Sequence, residues 1–227
     1  PVMSRQAAHG NNDEMLLTLN FALRQVALIT IPASVGLLIL REEIVSVLFQ
    51  YGEFTAESTS MTAAALAGYS VGLIAFAGIR IVAPGFYAMR DTRTPVKIAA
   101  VAMVVNVLGC LGLIPWFGHA GIAVANSLAA YLNLGVLLVL LRSRVGSFGG
   151  GSLLASYARL ATASAVMGWV VWGLRSSLMG DTGAAVITRV LALGAIIGIG
   201  ILTYLAAVVL MRAPELTELR QMRAQGG

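Results

Sequence analysis

The sequence predicts an all-α protein that crosses a membrane about six times, and its composition, its uncharged runs and the placement of its basic residues all support this. Of its 227 residues, 58% are hydrophobic and only 11% are charged. A soluble domain normally carries about a quarter of its residues as charges. The mean hydropathy of +0.86 is therefore typical of a polytopic chain whose solvent is lipid rather than water.

Six runs are apolar enough to be transmembrane helices, which need about 20 such residues to cross the hydrocarbon core. Four of them meet this length unaided, whereas the first and fifth need their flanking turns because Arg24 and Arg159 interrupt them early. The predicted spans are Leu17–Leu40, Met61–Ile79 with a helical extension to about Tyr87, Ile98–Phe117, Ala120–Leu141, Tyr157–Leu174 and Val190–Met211.

The basic residues orient these spans. If the N-terminus is cytoplasmic, three basic residues lie outside, Arg80 lies within the second span, and all the others lie inside. Because cytoplasmic loops of membrane proteins are enriched in Lys and Arg, this asymmetry predicts that both termini are cytoplasmic. The inside group is Arg5, Arg24, Arg90, Arg93, Lys97, Arg142, Arg144, Arg159, Arg212, Arg220 and Arg223, and the outside group is Arg41, Arg175 and Arg189.

A Gly- and Ser-rich segment divides the chain after the fourth span. Residues 146–156 include Gly146, Ser147 and three successive glycines, a composition typical of a flexible linker. Residues 1–145 then hold four spans, and residues 157–227 form an appended two-helix hairpin with a polar tail.

Several other classes of protein are not supported. The net charge of +5 comes from basic residues scattered between apolar runs, so we predict no nucleic-acid partner. One cysteine, Cys110, and two histidines do not support a metal site. The G-x-S-x-G match from Gly68 to Gly72 lies inside an uncharged span and not at the strand-to-helix turn that such a nucleophile requires. We interpret it as helix packing, and we predict no cofactor and no enzymatic activity.

The most specific motif is the stretch from Ala83 to Lys97, which reads APGFYAMRDTRTPVK. It predicts a helix end broken by a Pro-Gly pair, followed by a short cytoplasmic turn. Asp91 and Thr92 are expected to cap the next helix, whose first turn suits a proline. The residues that we assign to this structural or gating loop are Pro84, Gly85, Asp91, Arg93 and Pro95.

Two further motifs accompany this stretch in a fixed order. They are LF-x-x-G-x-F-T at Leu48–Thr55 and GIA-x-A at Gly121–Ala125. Together the three motifs resemble the MurJ/MviN family of lipid II flippases, within the multidrug/oligosaccharidyl-lipid/polysaccharide exporter superfamily. The resemblance covers nearly the whole chain.

This resemblance implies a fold and a function. Such proteins place about fourteen helices in two lobes around a cavity that alternates its access. The chain would supply the last six: four helices of the second lobe, and a hairpin that borders a hydrophobic groove suited to a polyprenyl tail. The family moves lipid II, the undecaprenyl-pyrophosphate-linked disaccharide-pentapeptide, from the cytoplasmic to the periplasmic leaflet of the inner membrane for peptidoglycan synthesis. Its partners here would be lipid II, membrane lipids and the N-terminal lobe of the same protein, which would hold most cavity arginines.

Polar residues inside spans are the substrate-binding candidates. An uncompensated pyrophosphate in hydrocarbon is very costly, so a lipid headgroup needs cations along its path. Arg80 and Arg24 either contact substrate phosphate or extend to the headgroup region, and a third alternative for Arg80 is pairing with an acidic residue elsewhere. Asn106 and Asn126 either line the cavity, coordinate a cation or form interhelical hydrogen bonds. Two alternatives to the flippase stay open, namely another exporter of the superfamily, such as a polysaccharide-lipid or drug antiporter, and a non-transporting membrane scaffold.

Overall fold

A computed structural model describes residues 12–50, 52–146, 150–179 and 186–211. Each of its six helices is long and apolar enough to cross a membrane, which confirms the predicted all-α, six-span architecture. The helices are α1 (Asn12–Phe49), α2 (Ala56–Ala88), α3 (Arg93–Phe117), α4 (His119–Val145), α5 (Gly150–Leu178) and α6 (Val186–Leu210).

The first helix is longer than the sequence predicts. α1 continues beyond Leu40 through the charged residues Arg41, Glu42 and Glu43. Charges normally argue against a span, yet the two carboxylates meet Arg175 of α5 across the interface. Tertiary contacts therefore extend the helix past the boundary that hydropathy marks.

The segment predicted as a linker is partly helical. α5 begins at Gly150, so the second half of the 146–156 segment belongs to the helix. Ser152 accepts a hydrogen bond from Arg24, and Leu153 packs against the core formed by the first four helices. These contacts stabilise helix where composition alone favours a loop. Residues 147–149 lie outside the described part.

The Pro-Gly pair does not end the second helix. Pro84 lies inside α2, and Gly85 is buried against Leu19 and Leu141, so the helix runs on to Ala88. The end comes at Arg90, whose φ is 59°. The Asp91 amide donates to the Phe86 carbonyl, and the Arg90 amide donates to the Tyr87 carbonyl. This is a Schellman-type helix ending, in which the left-handed residue is usually glycine.

Two apolar cores share α1. The N-terminal half of α1, the C-terminal halves of α2 and α4 and the start of α3 bury one cluster that includes Leu19, Phe86 and Leu141. The other cluster joins α1 to the α5–α6 hairpin and includes Leu160 and Ile196. The hairpin packs mainly on α1 and on itself.

Small residues bring α2 and α4 into close contact. A Cβ atom added at Gly68 would lie 2.7 Å from the Cβ of Ala123. The Ser127 hydroxyl donates to the Gly68 carbonyl at 2.7 Å, and the Tyr131 hydroxyl donates to the Val71 carbonyl at 2.8 Å. The G-x-S-x-G letters thus serve helix packing, as the sequence predicts.

Candidate functional site

An apolar groove with a volume of about 560 Å³ lies between α1, α5 and α6. Its α1 wall contains Pro32, Ala33 and Gly36, whose small side chains leave the concavity. A Cβ atom added at Gly36 would meet no other atom within 4 Å, so this glycine faces open space. Met167 and Gly200 belong to the opposite walls. The groove matches the chemistry of a hydrocarbon chain.

Leu40 and Ile44 of α1 line one end of the groove. Polar contacts between α1 and the hairpin lie next to this end. Arg175 donates to the Glu42 carboxylate at 3.0 Å, to the Ile39 carbonyl at 3.2 Å and to the carboxylate of Glu43. Arg189 of α6 donates to the Ser46 hydroxyl of α1. The hairpin is therefore tied to α1 by both of its helices at this end.

A second, polar cavity of about 370 Å³ lies beside these contacts. Glu43, Gln50, Thr59 and Arg189 are among its lining residues, which come from α1, α2 and α6 and from the positions directly after α1 and α5. One carboxylate oxygen of Glu43 is buried without a hydrogen-bond partner. The cavity is lined by guanidinium, amide, hydroxyl and carboxylate groups, whereas the groove is apolar.

The two arginine candidates occupy different environments. Arg80 lies on α2, one turn before Pro84, and is exposed. Because Pro84 has no amide hydrogen, the Arg80 carbonyl also lacks its usual helical donor. Arg24 is half-buried on α1, and its guanidinium donates to the Ser152 hydroxyl of α5 at 3.0 Å. Arg24 thus contacts the hairpin.

The asparagine candidates are half-buried on α3 and α4. The side-chain Oδ1 of Asn106 accepts a hydrogen bond from the Cys110 thiol at 3.6 Å, within the same helix. Asn126 lies on the same helix as Asn133, whose side-chain oxygen is buried without a hydrogen-bond partner. Within the described ranges, no hydrogen bond or ion pair joins any two of the four candidates, so their assignment to a substrate site stays a prediction.

The predicted cytoplasmic turn is a polar network. One carboxylate oxygen of Asp91 accepts from the Thr94 amide at 3.0 Å and the other accepts from the Thr94 hydroxyl at 2.6 Å. Arg144 of α4 pairs with the same carboxylate and lies 5.5 Å from the centre of the Phe86 ring. The Thr94 hydroxyl, the Thr94 amide and the Arg144 guanidinium hold the pKa of Asp91 well below its usual range. Asp91 therefore caps α3, as its position predicts, while Thr92 makes no side-chain cap.

Pro95 is buried in the first turn of α3, whereas Arg93 is exposed at its start. Asp91 joins this connection between α2 and α3 to α4 through Arg144. A gating role for this connection stays a prediction.

The comparisons with known proteins identify the family. A family model described as lipid II flippase MurJ matches residues 1–193. A probable lipid II flippase MurJ of Vibrio cholerae is 35% identical over 218 residues, which cover 93% of this chain and 40% of the relative. The chain belongs to the lipid II flippase MurJ family. The resemblance seen in its motifs is thus confirmed.

Further comparisons agree with this family. A probable lipid II flippase MurJ of Rhizobium tropici is 33% identical over 224 residues, covering 97% of this chain and 42% of the relative. A solved structure of a lipid II flippase MurJ in an inward closed conformation superimposes with a TM-score of 0.72 at 23% identity, covering 93% of this chain and 42% of that one. This likeness shows the MurJ fold. The chain spans about two fifths of the length of these relatives.

Sequence reasoning missed the contacts that shape the groove. The resemblance implied a groove beside the hairpin, but no motif marked Gly36, Arg175 or Tyr204 as part of its surroundings. Pro32 offered one usable signal, because a proline within a span leaves a carbonyl one turn earlier without its helical donor.

Proposed function

We propose that this chain takes part in the translocation of lipid II from the cytoplasmic to the periplasmic leaflet by alternating access, without covalent chemistry. The observation that carries the proposal is the apolar groove between α1 and the hairpin, found in a chain of the MurJ family. A lipid with a large anionic headgroup must move that headgroup through protein, whereas its long apolar tail is stable against an apolar surface. The groove supplies that surface.

We assign the chain to the second half of a two-lobe transporter. In this arrangement α1 to α4 belong to the C-terminal lobe, the 146–156 segment connects them to the hairpin, and an N-terminal lobe of the same protein completes the cavity. We assign two cations of this chain to the path of the pyrophosphate. They are exposed Arg80 and half-buried Arg24, which lie within the helices that form the spans. The two lobes rock about the site, as expected for alternating access.

The proposed location is the bacterial inner membrane, with both ends of this chain cytoplasmic. The basic residues support this orientation, because cytoplasmic loops are enriched in Lys and Arg. Arg90 and Arg93 are exposed in the turn between α2 and α3, which we predict to face the cytoplasm. Cysteines at exposed Glu53 and Thr92, introduced with Cys110→Ala, test it by labelling with an impermeant thiol reagent. Position 53 should label from outside and position 92 should not, and the reverse pattern would contradict the orientation.

Filling the groove tests its role in translocation. Gly36→Leu places a side chain in open space inside the groove, whereas Gly194→Leu on α6 places the same side chain on an exposed surface outside it, where a Cβ also meets no other atom within 4 Å. In the full-length protein, Gly36→Leu should fail to support growth of a flippase-depleted strain at normal protein abundance, and Gly194→Leu should support it. Equal growth with both variants would remove the groove from the mechanism.

A further inference from the structure

One backbone carbonyl of α1 in the groove, toward the predicted inner end, lacks its helical hydrogen-bond donor because of a proline. Pro32 lies inside α1 and has no amide hydrogen, so the Leu28 carbonyl, four residues earlier, cannot make its normal helical hydrogen bond. An unpaired carbonyl inside a bilayer is costly because no water replaces the missing donor. The α1 helix therefore needs a donor from elsewhere at this position.

Tyr204 of α6 supplies that donor. Its hydroxyl donates to the Leu28 carbonyl at 2.8 Å, and the side chain is 5% exposed. Leu28, Pro32 and Tyr204 all line the groove. The hydrogen bond that substitutes for the one lost at the proline is thus also a link between two walls of the groove.

The α6 helix meets α1 through polar side chains at two levels. Toward the predicted outer end Arg189 donates to Ser46, and toward the inner end Tyr204 donates to Leu28. Between these levels α1 and α6 are separated by the apolar groove, whose α6 wall includes Ile197. The two links therefore act together with the apolar core shared by α1, α5 and α6 in holding the two walls at this separation.

We infer that Tyr204 is a positioning residue that sets the width of the groove by binding the carbonyl that Pro32 leaves free. The inference rests on the proposed function, in which the groove holds a polyprenyl chain. An isoprenoid chain is bulkier than a straight acyl chain because of its methyl branches, so its fit depends on the separation of the walls. Loss of the link should weaken polyprenyl binding without removing the groove.

The test compares Tyr204→Phe with a control in the same interface. Tyr157 of α5 donates to the Leu23 carbonyl at 3.5 Å, but the residue four positions later is Ala27, so Leu23 keeps its helical donor. Tyr157→Phe therefore removes a hydroxyl from the hairpin–α1 interface without exposing an unpaired carbonyl. Both variants retain the aromatic ring.

The binding readout is photocross-linking in the full-length protein. A photoreactive amino acid at Ala33, in the α1 wall, reports capture of undecaprenyl phosphate added to proteoliposomes. Tyr204→Phe should raise the half-maximal concentration about tenfold, because binding must then restore the wall separation that this bond, of about 1.4 kcal/mol, holds in the free protein, while the maximal yield is unchanged. Tyr157→Phe should behave like the unmodified protein. A merely destabilised protein would instead lose maximal yield.

Restoring the missing donor provides the decisive comparison. Pro32→Ala returns an amide hydrogen to α1, so Tyr204→Phe in that background should have little further effect. Spin labels at Ile29 and Leu205 report the α1–α6 distance without any ligand, and Tyr204→Phe should broaden or lengthen it only when Pro32 is present. Unchanged capture and distance in Tyr204→Phe, or additive effects of the two substitutions, would overturn the inference. If the unmodified protein captures no undecaprenyl phosphate, the proposed role of the groove fails, and the distance measurement still decides the role of Tyr204.

Discussion

Arg175 of α5 forms an ion pair with Glu43 of α1, and this pair anchors the hairpin to α1 at the C-terminal end of α5. The two side chains are 28% and 11% exposed, so the pair is largely removed from solvent. Breaking a buried pair by removing one partner is strongly destabilising, because the other charge stays buried without compensation. The groove depends on this anchor, since the hairpin packs mainly on α1.

Removing Arg175 should therefore loosen the hairpin. We expect Arg175→Ala to lower the free energy of unfolding by about 3 kcal/mol, measured as a drop in melting temperature in detergent. Arg41→Ala is the matched control, because Arg41 pairs with exposed Glu42 at 3.7 Å and such a pair contributes less than about 1 kcal/mol. Exchanging the charges, Arg175→Glu with Glu43→Arg, should recover part of the loss. Equal melting temperatures for Arg175→Ala and Arg41→Ala would contradict the anchor.

The cap on α3 should respond to pH only in strong acid. Because Thr94 and Arg144 stabilise ionised Asp91, its pKa is lower in the folded protein than in the unfolded chain. Its stabilising contribution is then complete above the unfolded value of about 3.9 and is lost as the pH falls through the lower folded value. The difference in melting temperature between the unmodified protein and Asp91→Asn should be constant from neutral pH to about pH 5 and should shrink below about pH 4. A difference that disappears between neutrality and about pH 5 would refute this account.

The α2–α4 contact should not tolerate one added methyl group. At Gly68 a Cβ would lie 2.7 Å from the Ala123 Cβ and 3.1 Å from the Val124 amide nitrogen, so the backbone itself would have to move. We expect Gly68→Ala to destabilise the protein by about 1–3 kcal/mol. Gly112→Ala on α3, where nothing lies within 4 Å of the added Cβ, should be neutral or slightly stabilising. Thermal unfolding in detergent measures both, and a neutral Gly68→Ala would show that the helices are not in close contact.

Arg80 should matter for translocation and not for insertion. It is exposed on α2, and no hydrogen bond or ion pair holds it among the described residues. If it contacts pyrophosphate in the full-length protein, Arg80→Ala should impair complementation of a flippase-depleted strain at normal abundance. Arg80→Lys should keep partial activity, because a point charge attracts phosphate but lacks the bidentate fork. Full complementation by Arg80→Ala would place the side chain at the headgroups only.

Hydropathy and motifs predicted the architecture because the bilayer imposes it. The six spans follow from a simple length requirement, and the predicted continuation of α2 to about Tyr87 agrees with its end at Ala88. The cap by Asp91 was also predictable, because its partner Thr94 is only three residues away. Local chemistry and the lipid solvent thus fix the helices and their nearest turns.

Long-range partners were not predictable from one sequence. Arg144 is 53 residues from Asp91, and Arg175 is over 130 residues from Glu42, so no local pattern connects them. For the same reason the sequence placed the fifth span only from Tyr157, whereas α5 begins at Gly150. The first turns of this helix are stabilised by contacts to α1. The four substrate candidates were selected because polar residues are rare inside spans. This rarity does not determine which cavity each side chain faces.

Translocation of lipid II by the full-length protein is the most direct test of the central claim. Lipid II labelled on its headgroup is incorporated into both leaflets of proteoliposomes, and an impermeant reagent then modifies the label from outside. We predict that nearly all the label becomes accessible with the unmodified protein and with Gly194→Leu, whereas with Gly36→Leu the inner-leaflet fraction stays protected. If the inner-leaflet label also stays protected with the unmodified protein, or becomes accessible equally with Gly36→Leu, the account of this chain as a lipid-translocating groove is contradicted.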